Sequence, residues 1–518
     1  MSEAGAGEAP AAFPSGSLGQ TALVLVAVLV LTHLPALLTP GTIQDEAVYV
    51  VAARELLHGG KLYIDVIDRK PPLLFYVYAA VLRLFGPANW VGLHLAGVAW
   101  VLATMGVLVA LGRRLGSVAT GVASALLYAV FQPFYEVNNL AFNGEVLMNL
   151  PVVIGFWLAF RRSRSQWRLE LLAAGAMPAL GFLLKQPAGI AGLPLGIYVL
   201  LPAYRRSRGL GWRHSLLHAL WLCVGFAAAF GAAGLLLDRE GILPQAFYWS
   251  VLDHDVPYGP LSAVFWHRAS FATLIFLVFC APLVLGTWQS LRSPALWIGR
   301  QAERTALLVL LGVSAIGVSA SGRFFVYYYI QLLPPLCLIA APYFAELWDA
   351  RHRSASARFM LGWVALSAAV FLVTDLVEMP PRIGTSQAAQ YVRRSAHPDD
   401  RAFVWGQYPR FYLEAGLRPA TRYITFFPLT GYIFGSPYNR DPSHEDTTNR
   451  ILPGAWQHLM DDFAAHPPRY ILDTEQAYYP PKYPIAHFPY LRDLLARDYR
   501  LALMLPGGAL YERRASAQ

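Results

Sequence analysis

Long apolar runs separated by short polar segments dominate the first three quarters of the chain. Runs of about 17 to 23 apolar residues are long enough to cross a bilayer as helices. The apolar piece from Pro72 to Phe85 is shorter, and we predict an interfacial or re-entrant helix there. The pattern therefore predicts a polytopic helical membrane protein with eleven spans, at about residues 21–39, 90–111, 118–134, 142–160, 169–184, 187–203, 215–237, 270–290, 305–320, 327–347 and 359–377.

Arginine clusters occur in alternate loops, as at Arg113-Arg114, Arg205-Arg206 and Arg351 to Arg353. Loops rich in Lys and Arg stay on the cytoplasmic side. Residues 1–20 are then a disordered cytoplasmic N-terminus, and residues 21–377 form the membrane module. The predicted external segments are 40–89, 135–141, 185–186, 238–269, 321–326 and everything after Val377.

Residues 378–518 differ from the rest, because they are polar, Pro-rich and aromatic. Short apolar runs alternate there with helix-like pieces, which predicts a small external α/β domain. Pro506-Gly507-Gly508 is typical of a hairpin turn. The predicted strands are 402–405, 422–425, 469–472, 500–505 and 509–512, and the predicted helices are 386–394, 411–416, 455–465 and 490–496.

The composition agrees with a membrane protein, since 56% of the residues are hydrophobic and only 14% are charged. A soluble protein carries about 25% charged residues. The net charge of +9 comes with the arginine-rich loops and predicts no nucleic-acid partner. Cys223, Cys280 and Cys337 all lie in apolar runs, so we expect neither disulfides nor a thiolate metal site. The N-terminus has no basic n-region, and the first run is expected to remain as a span rather than a cleaved signal peptide.

The long loop 40–89 concentrates ionisable residues beside the first span. Asp45 and Glu46 come a few residues after the span, and an amphipathic helix from Ala47 to His58 follows, stopped by Gly59-Gly60. Ionisable groups at membrane depth are costly and need a reason. Thr42 and Asp45 fit a capping box, so a structural role for Asp45 is open. The functional alternative is a carboxylate held at the membrane face as a general base or substrate anchor.

Other charged residues lie at the external ends of predicted spans. Lys70 precedes Pro71-Pro72 and has a plain interpretation as a snorkelling side chain. Glu145 and Lys185 border external loops, where a carboxylate outside the bilayer costs little. Arg323 precedes an aromatic run whose tyrosines can form an interfacial belt. Alternatively, Lys185 and Arg323 suit a phosphate headgroup at the outer leaflet.

Asp253-His254-Asp255 in loop 238–269 contains three potential metal ligands. Three adjacent side chains do not all face the same way, so we do not favour a metal site there. The histidines of the tail lack zinc-ligand spacing.

Together these segments resemble GT-C class membrane glycosyltransferases of glycosyltransferase family 39, relatives of the protein O-mannosyltransferases and the lipid A aminoarabinose transferases. The resemblance covers about residues 20–350. It rests on five segments in the family's order, DEAVYVVAARELLHGGKLY, DRKPPLLFYVYAAVLRLFG, NGEVLMNLPVVIGFWLAF, LGFLLKQPAGIAGLPLGIYVLL and GRFFVYYYIQLLPPLCLIAA.

The resemblance implies transfer of a sugar from a polyprenyl-phosphate carrier to an acceptor hydroxyl, with Asp45 as the catalytic acidic residue. Glu46 would support it or contact the acceptor. The expected ligands of the donor phosphate are Lys70, Lys185 and Arg323, and the expected substrate-binding residues are Glu145, Arg69, Tyr328, Tyr329, Gln331 and His254. Where aminoarabinose transferases have an acidic metal ligand before the Lys-Pro pair, this chain has Arg69. We therefore expect no cofactor and do not favour a divalent metal.

The sequence thus predicts an inverting glycosyltransferase of the bacterial inner membrane and cell envelope, with a periplasmic C-terminal domain. Its partners would be the lipid bilayer, a polyprenyl-phosphate sugar and a glycan, lipid or protein acceptor. Two other classes stay open. A transporter of lipid-linked sugars would favour internal repeats, which we do not see. A non-catalytic envelope assembly protein would need its tail but not Asp45 or Lys70.

Overall fold

The computed structural model describes residues 18–39, 44–87, 89–161, 165–253, 259–378, 386–432, 447–474, 483–506 and 508–514. Helices predominate in this part of the chain, and a small sheet follows near the C-terminus. The helices before the sheet are α1 (Leu18–Thr32), α2 (Leu34–Leu38), α3 (Gln44–Leu57), α4 (Pro72–Phe85), α5 (Trp90–Leu115), α6 (Val118–Phe131), α7 (Gly144–Phe160), α8 (Trp167–Leu184), α9 (Gly192–Leu200), α10 (Pro202–Arg208), α11 (Trp212–Arg239), α12 (Leu243–Phe247), α13 (Ala263–Phe279), α14 (Ala281–Arg292), α15 (Gln301–Ser319), α16 (Leu333–Ala350) and α17 (Ala355–Glu378).

Within the described residues, six helices are long and apolar enough to cross a membrane, or up to eight if each of two bent pairs is one span. The bent pairs join Gln186–Leu200 to Pro202–Arg208 and α13 to α14. Three further predicted spans coincide with the shorter apolar helices α1, α6 and α7. The helical class is confirmed, and the count of eleven stays a prediction.

The membrane helices surround α16. Of the apolar window that includes α16, 83% is buried, whereas only 11% of the window in α11 is buried. A helix that is apolar all round and buried belongs in the centre, and one with exposed apolar faces suits lipid. Helices α8 and α11 pack closely because Gly175 and Gly225 each face a backbone carbonyl of the other helix, where a Cβ would clash.

The C-terminal part packs short helices against a five-stranded mixed sheet. The strand order is β2-β1-β3-β5-β4, with parallel pairing of β2, β1 and β3 and antiparallel pairing of the rest. The strands are β1 (Arg401–Trp405), β2 (Arg418–Pro419), β3 (Tyr470–Asp473), β4 (Tyr499–Leu505) and β5 (Gly508–Arg513). The helices are α18 (Gln387–Ser395), α19 (Arg410–Ala415), α20 (Phe427–Thr430), α21 (Ala455–Ala465) and α22 (Pro489–Asp498).

One predicted strand, 422–425, is wrong. The strand that pairs with β1 at this edge of the sheet is β2, and Tyr423 makes only an isolated bridge with Ile67 of the first loop. The Ile67 N–H donates to the Arg422 carbonyl at 3.0 Å. This segment therefore pairs with the loop after α3 and not with the sheet, which a local apolar pattern does not reveal.

Candidate active site

A cavity of about 820 Å³ lies between the membrane helices and the C-terminal part. Its first wall comes from the loop after α3 and from neighbouring loops of the membrane helices. Its second wall comes from the segments around α20 and the residues before α21. Charged and aromatic residues of the first wall are Asp45, Tyr49, Asp68, Arg69, Lys70, Glu136, Tyr248, Trp249, Asp253, Arg323, Phe325, Tyr327 and Tyr328. Polar and aromatic side chains of the second wall are Gln407, Tyr423, Thr425, Phe427, Tyr432, Asn449 and Arg450.

Asp45 and Glu46 occupy the first turn of α3 but face different directions. Consecutive residues of a helix are about 100° apart. Asp45 lines the cavity. Glu46 is fully buried, accepts the Phe142 backbone N–H at 2.7 Å and lies 3.5 Å from Nε2 of His94. Glu46 therefore anchors the first turn of α3 and does not line the cavity with Asp45. Thr42, the predicted N-cap residue, lies outside the described residues.

The surroundings of Asp45 favour a base that works closer to neutral pH than an ordinary aspartate. Burial raises its pKa above the usual range. Lys70 and Lys185 act in the opposite direction, while Glu145 and Asp68 add to the increase. Efficient general bases have a pKa near the working pH, so this environment suits proton abstraction.

Two hydrogen bonds from neighbouring side chains hold the backbone of Lys70 in place. Its N–H donates to Asp68 at 2.8 Å, and its carbonyl accepts from the Tyr63 hydroxyl at 2.7 Å. Tyr63 is buried and has a positive φ of 66°, which is uncommon for a bulky residue. Such strain persists where the surrounding structure fixes it. Here the strained residue, Tyr63, holds the backbone of Lys70 at the cavity through its hydroxyl.

Arg69 also lines the cavity, but it already has an anionic partner. Its Nε lies 2.7 Å from Oδ2 of Asp253, and its carbonyl accepts from Gln186 Nε2 at 3.0 Å. Its side chain is 48% exposed, so the guanidinium remains accessible to a ligand. A guanidinium cannot bind a cation, and the expectation that no divalent metal binds beside Lys70 stays a prediction.

Lys185 and Glu145 were predicted at the same face, and the structure pairs them. Nζ of Lys185 lies 2.7 Å from Oε1 of Glu145 and 5.1 Å from the centre of the Tyr328 ring. Both side chains are more than 90% buried, and neither lines the cavity. They act on Asp45 through charge, at a distance from any ligand in the cavity.

The aromatic segment after Arg323 divides between the cavity and the core. Arg323 and Tyr328 line the cavity. The Tyr329 hydroxyl bonds instead to Thr273 at 2.7 Å, and Gln331 donates to the Tyr328 carbonyl at 2.9 Å. The last two therefore sit behind the cavity wall. Phe324, with φ +48°, makes the turn after Arg323.

His254 lies outside the described residues, as does Asp255. Among the residues that the structure does describe, no group of three or more His, Cys, Asp or Glu side chains is arranged to hold a metal ion.

Sequence reasoning missed the second wall and Glu136. Glu136 lies between α6 and α7, and burial raises its pKa to about 7. The aromatic run Phe426-Phe427 followed by Tyr432 was a visible signal in the tail. No spacing rule, however, places these residues opposite Asp45.

Comparisons with known proteins concern the family and the fold. Residues 69–231 match the family model described as dolichyl-phosphate-mannose-protein mannosyltransferase. No curated protein matches the sequence.

Solved structures share the fold over nearly the whole chain. ArnT from Cupriavidus metallidurans, bound to undecaprenyl phosphate, is 14% identical with a TM-score of 0.64, covering 97% of this chain and 99% of that one. The archaeal oligosaccharyltransferase AglB from Archaeoglobus fulgidus, in complex with an inhibitory peptide and a dolichol-phosphate, is 10% identical with a TM-score of 0.53, covering 88% and 69%. The resemblance to GT-C class, family-39-like membrane glycosyltransferases is therefore confirmed, by the family model and by the fold.

Proposed function

We propose that the protein transfers a sugar from a polyprenyl-phosphate donor to an acceptor hydroxyl at the external face of the bacterial inner membrane. The observation that carries the proposal is the single cavity that contains Asp45, Lys70 and Arg323. A carboxylate and two cations in one water-accessible cavity are what a transfer from a phosphate leaving group requires. The ligands named for ArnT and AglB, undecaprenyl phosphate and dolichol-phosphate, support a donor of this chemical class.

Asp45 is the proposed general base. Its carboxylate takes the proton of the acceptor hydroxyl as the hydroxyl oxygen attacks the anomeric carbon. The bond between that carbon and the phosphate oxygen breaks, and its electron pair stays on the polyprenyl phosphate. Attack from the face opposite the leaving group inverts the anomeric centre. Because phosphate is a good leaving group, the reaction needs no strong general acid.

Lys70 and Arg323 are the proposed ligands of the leaving phosphate. Both line the cavity, and Arg69 stands beside Lys70. Cations held in place before the reaction stabilise the charge that develops on the phosphate. Lys185 supports them only through its charge, since its ammonium group is paired with Glu145.

The proposed topology has eleven spans, with the N-terminus inside and residues 378–518 outside as one α/β domain. The eight possible spans together with the short helices α1, α6 and α7 support this count. The cavity then lies at the external face, and its second wall belongs to the external domain. The acceptor, a glycan, lipid or protein, would enter between the two walls.

A donor panel tests the proposal. The protein purified in detergent is incubated with a series of polyprenyl-phosphate sugars, and release of free polyprenyl phosphate is measured. We expect turnover with one donor and a loss of about 100- to 10,000-fold in Asp45→Asn, the usual contribution of a general base. Binding of undecaprenyl phosphate should persist in the variant.

Asp65→Asn is the matched control. Asp65 is an exposed carboxylate of the same loop, and its Oδ2 accepts the Lys61 N–H at 2.7 Å, which an amide oxygen can also do. It should retain wild-type turnover. Full activity of Asp45→Asn, or lipid-linked sugars crossing liposome bilayers without any turnover, would refute the proposal.

A further inference from the structure

A second, much smaller cavity lies behind α3, inside the membrane bundle. Its volume is about 10 Å³, and its polar lining consists of His33, His94 and Gln132. A space of about 10 to 15 Å³ is the least that holds one water molecule. The rest of the lining is apolar and includes Val101 and Ala36.

Three polar atoms at this cavity are buried without a hydrogen-bond partner in the described part of the chain. They are Nε2 of His33, Nε2 of His94 and Oε1 of Gln132, on side chains that are at most 4% exposed. A buried polar atom without a hydrogen bond costs about 1–3 kcal/mol. Three of them around one space indicate a bound polar ligand.

The contacts of these three side chains determine which of the three unpartnered atoms donate a hydrogen bond and which accept one. Nδ1 of His33 lies 3.1 Å from the Leu29 carbonyl, which only accepts, so Nδ1 carries the proton and Nε2 accepts. Nε2 of Gln132 donates to the Asn139 carbonyl, which turns Oε1 toward the cavity as an acceptor. Nε2 of His94 lies 3.5 Å from a carboxylate oxygen of Glu46, which favours the tautomer that carries the proton on Nε2, and this N–H makes no hydrogen bond to a described residue.

Two acceptors and one donor match the hydrogen-bonding capacity of water. We propose that one buried water occupies this cavity, donating to His33 and Gln132 and accepting from His94. The water forms a network with these three side chains and holds the His94 ring 3.5 Å from Glu46, whose other carboxylate oxygen accepts the Phe142 N–H at 2.7 Å. The network joins the first span, α5 and the end of α6 to the first turn of α3.

The network positions Asp45, the residue next to Glu46. With α3 fixed at its first turn from behind, the Asp45 carboxylate has a defined place in the large cavity. A displacement of about 1 Å can cost about 100-fold in rate. Glu46 and His94 are therefore positioning residues; this second part of the inference rests on the proposed function, whereas the water site does not.

Val101→Ile tests the water site, because Val101 is 1% exposed and lines the cavity. The added methyl group displaces the water and leaves the three polar atoms unpartnered, so the thermal unfolding midpoint in detergent should fall. The same substitution in a Gln132→Met background, where one acceptor is already gone, should lower the midpoint less. If Val101→Ile only overpacked the site, it would lower the midpoint by the same amount in both backgrounds. If the cavity were dry, the midpoint would stay unchanged or rise. Either result overturns the water site.

Glu46→Gln and His94→Gln test the positioning role with the whole protein. We expect kcat to fall by about 10- to 100-fold, with an unchanged Kd for undecaprenyl phosphate and an unchanged KM for the donor. His218→Gln is the control, since it removes another buried histidine, bonded at 2.7 Å to Tyr204, outside both cavities.

Unchanged kcat in both variants would overturn the positioning role. An equal loss of kcat in the control would do the same, because it would mean that any buried histidine is needed for folding. If the wild-type protein turns over no donor, the proposed function fails, while the unfolding midpoints still decide the water site.

Discussion

Lys185 and Glu145 form a buried ion pair, with 2.7 Å between Nζ and Oε1. Each charge is compensated by the other, and the Tyr328 ring covers the ammonium group. Removing one partner of a buried pair leaves an uncompensated charge, which costs about 3–5 kcal/mol, whereas removing both can be nearly neutral.

Lys185→Met and Glu145→Gln should therefore each lower the thermal unfolding midpoint more than the double variant does. The measurement is thermal unfolding of the purified protein in detergent. Additive losses in the double variant would mean that the two side chains act independently, against the pairing seen in the structure.

The pH dependence of the reaction should follow Asp45. A base must be deprotonated, so kcat/KM is lost as the pH falls through its pKa. Because burial raises that pKa, the acidic limb should lie above the usual aspartate value of about 3.9. Asp68→Asn removes a charge that raises this pKa and should move the limb to lower pH; Lys70→Met removes a charge that lowers it and should move the limb to higher pH.

The control for these profiles is again Asp65→Asn, which should leave the limb in place. Both variants shifting the limb in the same direction would contradict the electrostatic assignment. In Asp68→Asn the amide oxygen of the new side chain can still accept the Lys70 N–H, so the loop should keep its conformation.

The sequence predicted Asp45 and Lys70 because both lie in one long polar segment beside the first span, which we predict to be external. It did not predict which way neighbouring residues face, so Glu46 was placed beside Asp45 although it points into the bundle. Apolar runs define spans but not their rotation or their neighbours. For that reason Glu145 and Lys185 were assigned to the cavity, and their pairing was not foreseen.

The second wall could not be predicted for a different reason. Tyr423 and Phe427 are far from Asp45 in sequence, and their place depends on how the sheet docks. The apolar pattern at 422–425 suggested a strand of the sheet, but its partner is Ile67 of the first loop. Most strands and helices of the tail were predicted because their patterns are local.

Glu136 should make donor binding depend on pH near neutrality. Its pKa is raised to about 7 by burial, so it ionises as the pH rises through that value. We assign this cavity to the donor phosphate, and the ionised carboxylate adds a negative charge to it. We expect the affinity for undecaprenyl phosphate to fall across this range, and to fall less in Glu136→Gln.

Comparing the two proteins at each pH cancels the titration of the phosphate itself. Glu240→Gln is the control, because Glu240 bonds to Tyr76 away from the cavity. Identical pH dependence in wild type and Glu136→Gln would exclude Glu136 from the donor site.

Helix α3, which carries Asp45, is also tied to the sheet, through Glu55 of α3 and Arg418 of β2. Both carboxylate oxygens accept from the guanidinium, at 2.6 to 3.1 Å, and the Glu55 side chain is only 4% exposed while Arg418 is 31% exposed. Bidentate pairs of this kind combine strength with a fixed geometry. The pair therefore ties α3, which carries Asp45, to strand β2 of the sheet.

The unequal burial of the two partners gives an unequal prediction. Arg418→Met leaves a buried carboxylate unpaired and should lower both the unfolding midpoint and kcat. Glu55→Gln leaves a partly exposed guanidinium that water can solvate, so its effect should be smaller. Arg500→Met is the control: Arg500 is 65% exposed, and its partner Glu512 is 4% exposed but still accepts from Arg469 and Tyr391, so this change should lower the midpoint less. If Arg418→Met behaved like Arg500→Met, the docking of the sheet would not depend on this pair.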